Sequence, residues 1–284
     1  MVSVPIISSC LPRYLRRCIL LNSFCLGYNT KRAMIRLLTW TDKGELRFRE
    51  FEGEDGLPAY AILSHTWHTN NKEEVTYEDL ETGRGQHKAG YSKIDFCKKQ
   101  ASIDKLAYIW IDTCCINRKS EPELSEAINS MFRWYKNATR CYVYLSDVYM
   151  SHEERDTPLG GKEWESLFTQ SRWFSRGWTL QELIAPEHVD FFARDGTYFG
   201  NKLTLETAIS NVAGISLDVL RGRPLAECTI EERMTWAKAR TTKREEYHVY
   251  SLFGIFDVTM PLVYGEGKAK AFRRLYEEIS KYSK

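Results

Sequence analysis

Tyr60-Ala-Ile-Leu-Ser64 is a short apolar run that passes directly into the polar tail His65-Thr-Trp67. A run of this length, with its apolar residues contiguous, predicts a strand buried on both faces. Two more runs of the same kind follow it, Tyr108-Ile-Trp-Ile-Asp112 and Cys141-Tyr-Val-Tyr-Leu145, and a fourth is Val189-Asp-Phe-Phe192, which closes at Asp195-Gly196. Helical patterns lie between them. Ile94 to Ile103 places Ile94, Cys97 and Ala101 on one face. Ser120-x-x-Glu123 reads as a capping box, and the helix after it carries Leu124, Ala127, Ile128, Met131, Trp134 and Tyr135 at spacings of three and four. That stripe reads as core. Thr179 to Ile184 predicts a short helix stopped by Pro186. Strands alternating with helices imply right-handed crossovers and a mostly parallel sheet with flanking helices, an α/β fold.

Further along, the period changes. Thr204 to Val212 is helical and ends at Gly214, a natural helix stop. Thr229-x-x-Glu232 and Thr242-x-x-Glu245 read as two more capping boxes, and the last helix presents Ala269, Phe272, Leu275, Tyr276 and Ile279. Residues 34–200 are therefore expected to form an α/β core, and residues 201–284 a mainly helical extension of the same domain. Asp147 to Lys162, with Pro158 and a Gly160-Gly161 pair, is expected to be a mobile loop.

In the other direction, residues 1–41 hold six basic side chains and no acidic one, so the net charge of +2 leaves the rest of the chain at −4. Residues 1–33 read as a basic extension, disordered or arising from a misplaced start, with Met34 as the natural start of the domain. The balanced charge argues against nucleic-acid binding driven by electrostatics. No run of 18 apolar residues is present, so no membrane span is expected. The eight cysteines show no C-x-x-C and no regular spacing, which predicts free thiols and a cytoplasmic setting.

Ala61-Ile-Leu-Ser-His-Thr-Trp67 with Glu74-Val-Thr-Tyr77, then Trp110-Ile-Asp-Thr-Cys-Cys-Ile-Asn117 with Glu123 to Met131, then Arg176-Gly-Trp-Thr-Leu-Gln-Glu-Leu183, resemble in order the motifs of the fungal heterokaryon incompatibility (HET) domain family. Arg240-Thr-Thr, Glu245, Tyr250 to Phe256 and Met260 to Glu266 resemble its usual extension. His68 stands where the family commonly has Gly, and Glu246 where it has Asp. The resemblance implies an effector of vegetative incompatibility that triggers programmed cell death in self/non-self recognition. It also implies protein partners or self-association, with a regulatory receptor acting in trans.

The family's proposed kinship with Toll/interleukin-1 receptor (TIR) domains implies an alternative, a glycohydrolase with NAD as substrate. Trp178 and Glu182 stand four apart, and Glu182 occupies the position of the TIR catalytic carboxylate. Ser175 lies three residues before Trp178 rather than two. Cleavage of a nicotinamide–ribose bond develops positive charge on the ribose, which one carboxylate stabilises. In parallel sheets ligands sit at the carboxyl ends of strands. The expected set is therefore Glu182 as catalytic carboxylate, with Ser64, His65, Trp67, Asp112 and Trp178 contacting substrate and no bound cofactor.

Zinc at His65, His68, Cys114 and Cys115 is disfavoured, because adjacent cysteines seldom chelate one ion and no recognised spacing is present. Cys114 as a nucleophile beside His65 is weaker than Cys114 as rim packing. Gly265-Glu-Gly-Lys268 lacks the remaining glycine and hydroxyl of a phosphate loop and reads as a turn.

Overall fold

The computed structural model describes residues 33–149 and 162–282. Residues 1–32 and most of the expected loop, 150–161, lie outside the described residues.

The chain opens with an antiparallel hairpin, β1 (Met34–Trp40) and β2 (Leu46–Glu52). The buried strand β3 (Ala61–His65) leads through α1 (Tyr77–Glu81) and α2 (Tyr91–Ile103) to β4 (Ile109–Trp110). A single turn, α3 (Asp112–Cys115), and the long α4 (Glu121–Asn137) lead to β5 (Arg140–Leu145). Next come α5 (Lys162–Thr169), a 3-10 turn at Arg172–Ser175, α6 (Thr179–Ile184), β6 (Val189–Ala193) and β7 (Tyr198–Asn201). The remainder is helical: α7 (Glu206–Ala213), α8 (Leu217–Leu220), α9 (Ile230–Ala237), α10 (Tyr247–Tyr250) and α11 (Gly267–Tyr282).

The sheet order is β2-β1-β4-β3-β5-β6-β7. The four strands read from sequence are its parallel centre, in the order β4-β3-β5-β6, and the unexpected β1, β2 and β7 run antiparallel at the edges. The chain leaves β3 toward β4 and returns to place β5 on the other side of β3. The strand order therefore reverses between β3 and β5, which makes their carboxyl ends the switch point where such sheets open a crevice. Right-handed crossovers then set α2 on one face of the sheet and α4 with α6 on the other. Phe96 of α2 meets Tyr144 at 4.9 Å and Phe192 at 5.1 Å, whereas Tyr135 of α4 meets Trp110 at 5.8 Å.

The local capping signals match the structure unevenly. Gly214 ends α7 in the left-handed region, φ +66°, and its amide donates to Ser210. Ser120 and Thr229 cap their helices, accepting from the amides of Glu123 and Glu232. The reciprocal half of each box is absent. Glu123 is drawn to Arg36 and the Asn117 amide, and Glu232 to Arg223. Thr242 caps nothing: its hydroxyl donates to the Arg244 carbonyl, and α10 begins after Glu246. A complete box forms instead at Thr76 and Asp79, starting α1. The second strand is shorter than its apolar run, because after Ile111 the chain turns at once into α3, with the Cys114 and Cys115 amides both donating to the Ile111 carbonyl.

Candidate functional site at the switch point

Alternation along β3 sends successive side chains to opposite faces. Ser64 therefore faces α4 and α6, while its neighbour His65 faces α2.

On the Ser64 side, the Trp173 indole donates to the Ser64 hydroxyl at 2.8 Å, and that hydroxyl donates to the Glu182 carboxyl. Glu182 is only 7% exposed. Burial pushes its carboxyl up to about 8, and the nearby Asp112 charge pushes the same way, against hydrogen bonding from Ser64 and Tyr135 and the field of Arg240. Arg240 is equally buried. It donates to the Trp236 carbonyl (3.2 Å), the Arg176 carbonyl (2.9 Å) and the Thr179 hydroxyl (2.8 Å), and its remaining terminal nitrogen has no partner among the described residues. Burial lowers it to about 10, with Glu182 opposing the shift. Through Thr179, which also donates to the Trp173 carbonyl, Arg240 ties the helical extension to the start of α6.

On the His65 side the groups are ionic. Lys93, on the buried stripe of α2, pairs with Glu74 and donates to His65 Nδ1 at 3.0 Å. A ring that accepts at Nδ1 carries its proton on Nε2, which donates to Asp112 Oδ1 at 2.8 Å. Asp112 Oδ2 accepts from the Trp67 indole (2.9 Å) and from Arg118 (3.0 Å). Burial would raise Asp112, but His65, Arg118 and Trp67 together hold it well below the usual carboxylate range. Glu74 is likewise held low, as Lys93 and the His68 amide outweigh its burial.

Six side chains singled out in the sequence thus fall into three places. Glu182 and Ser64 join Trp173. His65, Trp67 and Asp112 join Lys93, Glu74 and Arg118. Trp178 sits at the start of α6 with its ring edge-on to Tyr247, 5.7 Å away. Lys93 is a residue the sequence reading passed over, although its place four before Cys97 and eight before Ala101 puts it on the apolar face of its helix. Arg240 is marked in the sequence only as part of the Arg240-Thr-Thr motif, with nothing to show its burial, and Trp173 gives no comparable local signal.

The weaker constellations resolve physically. Among the described residues no group of three or more His, Cys, Asp or Glu side chains is arranged for a metal. The Cys114 thiol donates to the Val75 carbonyl, and burial raises it well above a thiol's ordinary range, so it is a poor nucleophile. The five cysteines among the described residues are all free and buried. The Gly265–Lys268 turn is filled from within: Glu246 accepts from the Gly265 and Gly267 amides and Glu245 from the Lys268 amide. No helix among the described residues is long and apolar enough to cross a membrane.

Residues 60–158 match the family model for heterokaryon incompatibility protein (HET). The chain carries a HET domain. The matched segment contains β3, β4, β5 and the whole ionic half of the site, while Glu182, Trp173 and Arg240 follow it. The chain is also 52% identical, over 247 residues, to vegetative incompatibility protein HET-E-1 of Podospora anserina. That similarity covers 87% of this chain but 18% of HET-E-1, so the chain spans less than a fifth of that relative's length. No solved structure matches the chain at a significant level.

Proposed function

We propose that this HET-domain chain is an effector of heterokaryon incompatibility that triggers programmed cell death when activated. The observation that carries this reading is the 52% identity to a vegetative incompatibility protein across nearly the whole chain. In this reading activation is self-association or docking to a receptor supplied in trans. The buried free thiols suit a reducing, cytoplasmic setting. The test is inducible expression of the full chain in a filamentous fungus, fused to a chemically triggered dimerisation module. Loss of viability on dimerisation is expected. Unimpaired growth with the folded, dimerised chain present would overturn the proposal.

A second reading, NAD glycohydrolase, is favoured by one observation: a buried carboxyl raised toward its neutral form, Glu182, stands at the switch point of a parallel sheet. At neutral pH a carboxyl raised to about 8 is mostly protonated. A ligand bearing the nicotinamide cation would draw it toward the ionised form needed to stabilise a developing ribosyl cation. In this reading Trp67 and Trp178 are not yet free to stack on the ligand: the Trp67 indole is bonded to Asp112, and the Trp178 ring packs on Tyr247. NAD measured over time in expressing cells, beside Glu182→Gln, separates the readings. NAD loss that disappears in the variant supports catalysis, and death with NAD unchanged supports assembly alone.

A further inference from the structure

Trp67, at the end of β3, has two cations over its ring: Arg118, 4.3 Å from the ring centre, and Lys243, 5.0 Å from it. Arg172 donates to the Trp67 carbonyl at 3.0 Å and to the Ser146 hydroxyl at 3.4 Å. Arg176, four residues later, is half-buried, and its guanidinium makes no hydrogen bond or ion pair among the described residues. The backbone brings these groups together. Residues 175–177 and 241 bond as a short parallel bridge, through Gly177 N to Thr241 O (2.8 Å) and Thr241 N to Ser175 O (2.7 Å). The approach is close enough that a Cβ on Gly177 would stand 2.5 Å from Thr242.

The neighbouring carboxylates are already committed. Asp112 is shared among His65, Trp67 and Arg118, and Glu74 is held by Lys93 and the His68 amide. Asp147 accepts from the Ser171 hydroxyl and the Arg172 backbone amide rather than from a guanidinium. Glu182 is engaged by Ser64. Among the described residues the Lys243 ammonium hydrogen-bonds the neutral Asn71 side chain, at 2.5 Å, and no carboxylate. Arg118 keeps a buried Nε without a partner among the described residues. Burial and mutual repulsion lower both Arg176 and Lys243, with Arg172 among the causes for each. The contrast with α11 is instructive, for there the chain supplies two carboxylates of its own to the open amides.

We propose that Arg118, Arg172, Arg176 and Lys243 form an oxyanion site around Trp67, taking the diphosphate group of a small molecule. Guanidinium forks match phosphoryl oxygens in geometry as well as charge. The site does not rest on the effector reading, because binding and killing are measured separately.

The experiment is calorimetric titration of the full chain with pyrophosphate and with ADP, using chloride at matched ionic strength as the control. Saturable binding is expected. Arg176→Met and Lys243→Met should each weaken it about tenfold or more, the loss expected for one charge-assisted contact. Neither variant should lower the melting temperature of the unliganded chain, since neither strands a carboxylate. Tighter binding of ADP than of pyrophosphate would identify a nucleotide as the source of the diphosphate, whereas equal affinity would assign recognition to the diphosphate alone. Heat no greater than with chloride, or undiminished affinity in both variants, would overturn the site and leave the death-effector reading standing.

Discussion

Ser64 and His65 are adjacent in sequence, yet the carboxyls they touch behave in opposite ways. Glu182, beyond Ser64, is pushed up to about 8, while Asp112, beyond His65, is held well below the carboxylate range. Both are desolvated, so burial alone does not separate them. The difference is in the company each keeps. Glu182 receives a neutral hydroxyl, and its buried cation, Arg240, makes all its described hydrogen bonds elsewhere. Asp112 receives a ring N–H, an indole and a guanidinium directly. One face of the sheet thus holds a carboxyl poised to stay neutral, and the other an ion network fixed in its charged form. A one-residue step along a strand is enough to divide them.

The largest test of the contrast is Lys93→Met. It strands Glu74 as a buried charge without its ammonium, and the expected cost is about 3–5 kcal/mol, read as a shift in urea midpoint. Glu74→Gln added to it should recover most of that loss, because a neutral pair of similar size removes the desolvation penalty. A single-variant cost under about 1 kcal/mol would mean that the network on this face is not held by charge.

Next in size is the pH dependence on the other face. A carboxyl whose folded value is raised keeps its proton in the folded state while the unfolded chain has lost it. Its stabilising contribution is therefore full below the ordinary glutamate range and declines as pH rises toward about 8. The slope approaches one proton, about 1.4 kcal/mol per pH unit. Glu182→Gln, neutral throughout, should lack this component, so wild type and variant should diverge between about pH 5 and 8. Parallel stability curves would break the comparison at its root.

Ser64→Ala follows. It removes the hydroxyl that joins Trp173 to Glu182 and leaves a buried indole N–H and carboxyl short of a partner, an expected loss of about 2 kcal/mol in chemical denaturation. The carboxyl should also titrate at still higher pH, since the bond from Ser64 opposes its upward shift.

How far this architecture can be read from sequence follows the same division. The four central strands are legible because burial on both faces makes them continuous apolar runs, and the placement of Ser64, His65 and Asp112 at strand ends follows from their order. The edge strands are harder. Leu46-Arg-Phe-Arg-Glu-Phe-Glu52 alternates with solvent-facing charges, and β4 is cut to Ile109–Trp110 because the chain turns into α3 directly after Ile111, where the apolar run gives no sign of it. The pairing of Ser120 with Glu123 looks complete as a local motif, but Arg36 of the first strand diverts the glutamate. The division of the site is legible only in part. Strand alternation separates residue 64 from residue 65, but nothing local indicates that Trp173 and Arg240 close one face or that Lys93 enters the other.

Trp67→Phe is the smallest expected effect, and it tests whether the ionic face is redundant. The substitution keeps an aromatic ring for Arg118 and Lys243 but removes the indole bond to Asp112, which still has His65 and Arg118. With two donors left, the cost should be about 1 kcal/mol. It should also appear as a higher pH midpoint of acid unfolding. A carboxyl with a depressed folded value contributes stability that is present above the ordinary aspartate range and lost as pH falls through its lower folded value, so a weaker depression brings that loss to higher pH. A cost near that of Lys93→Met would show instead that the indole orients the whole network. The ionic face would then be as dependent on one neutral donor as Glu182 is on Ser64.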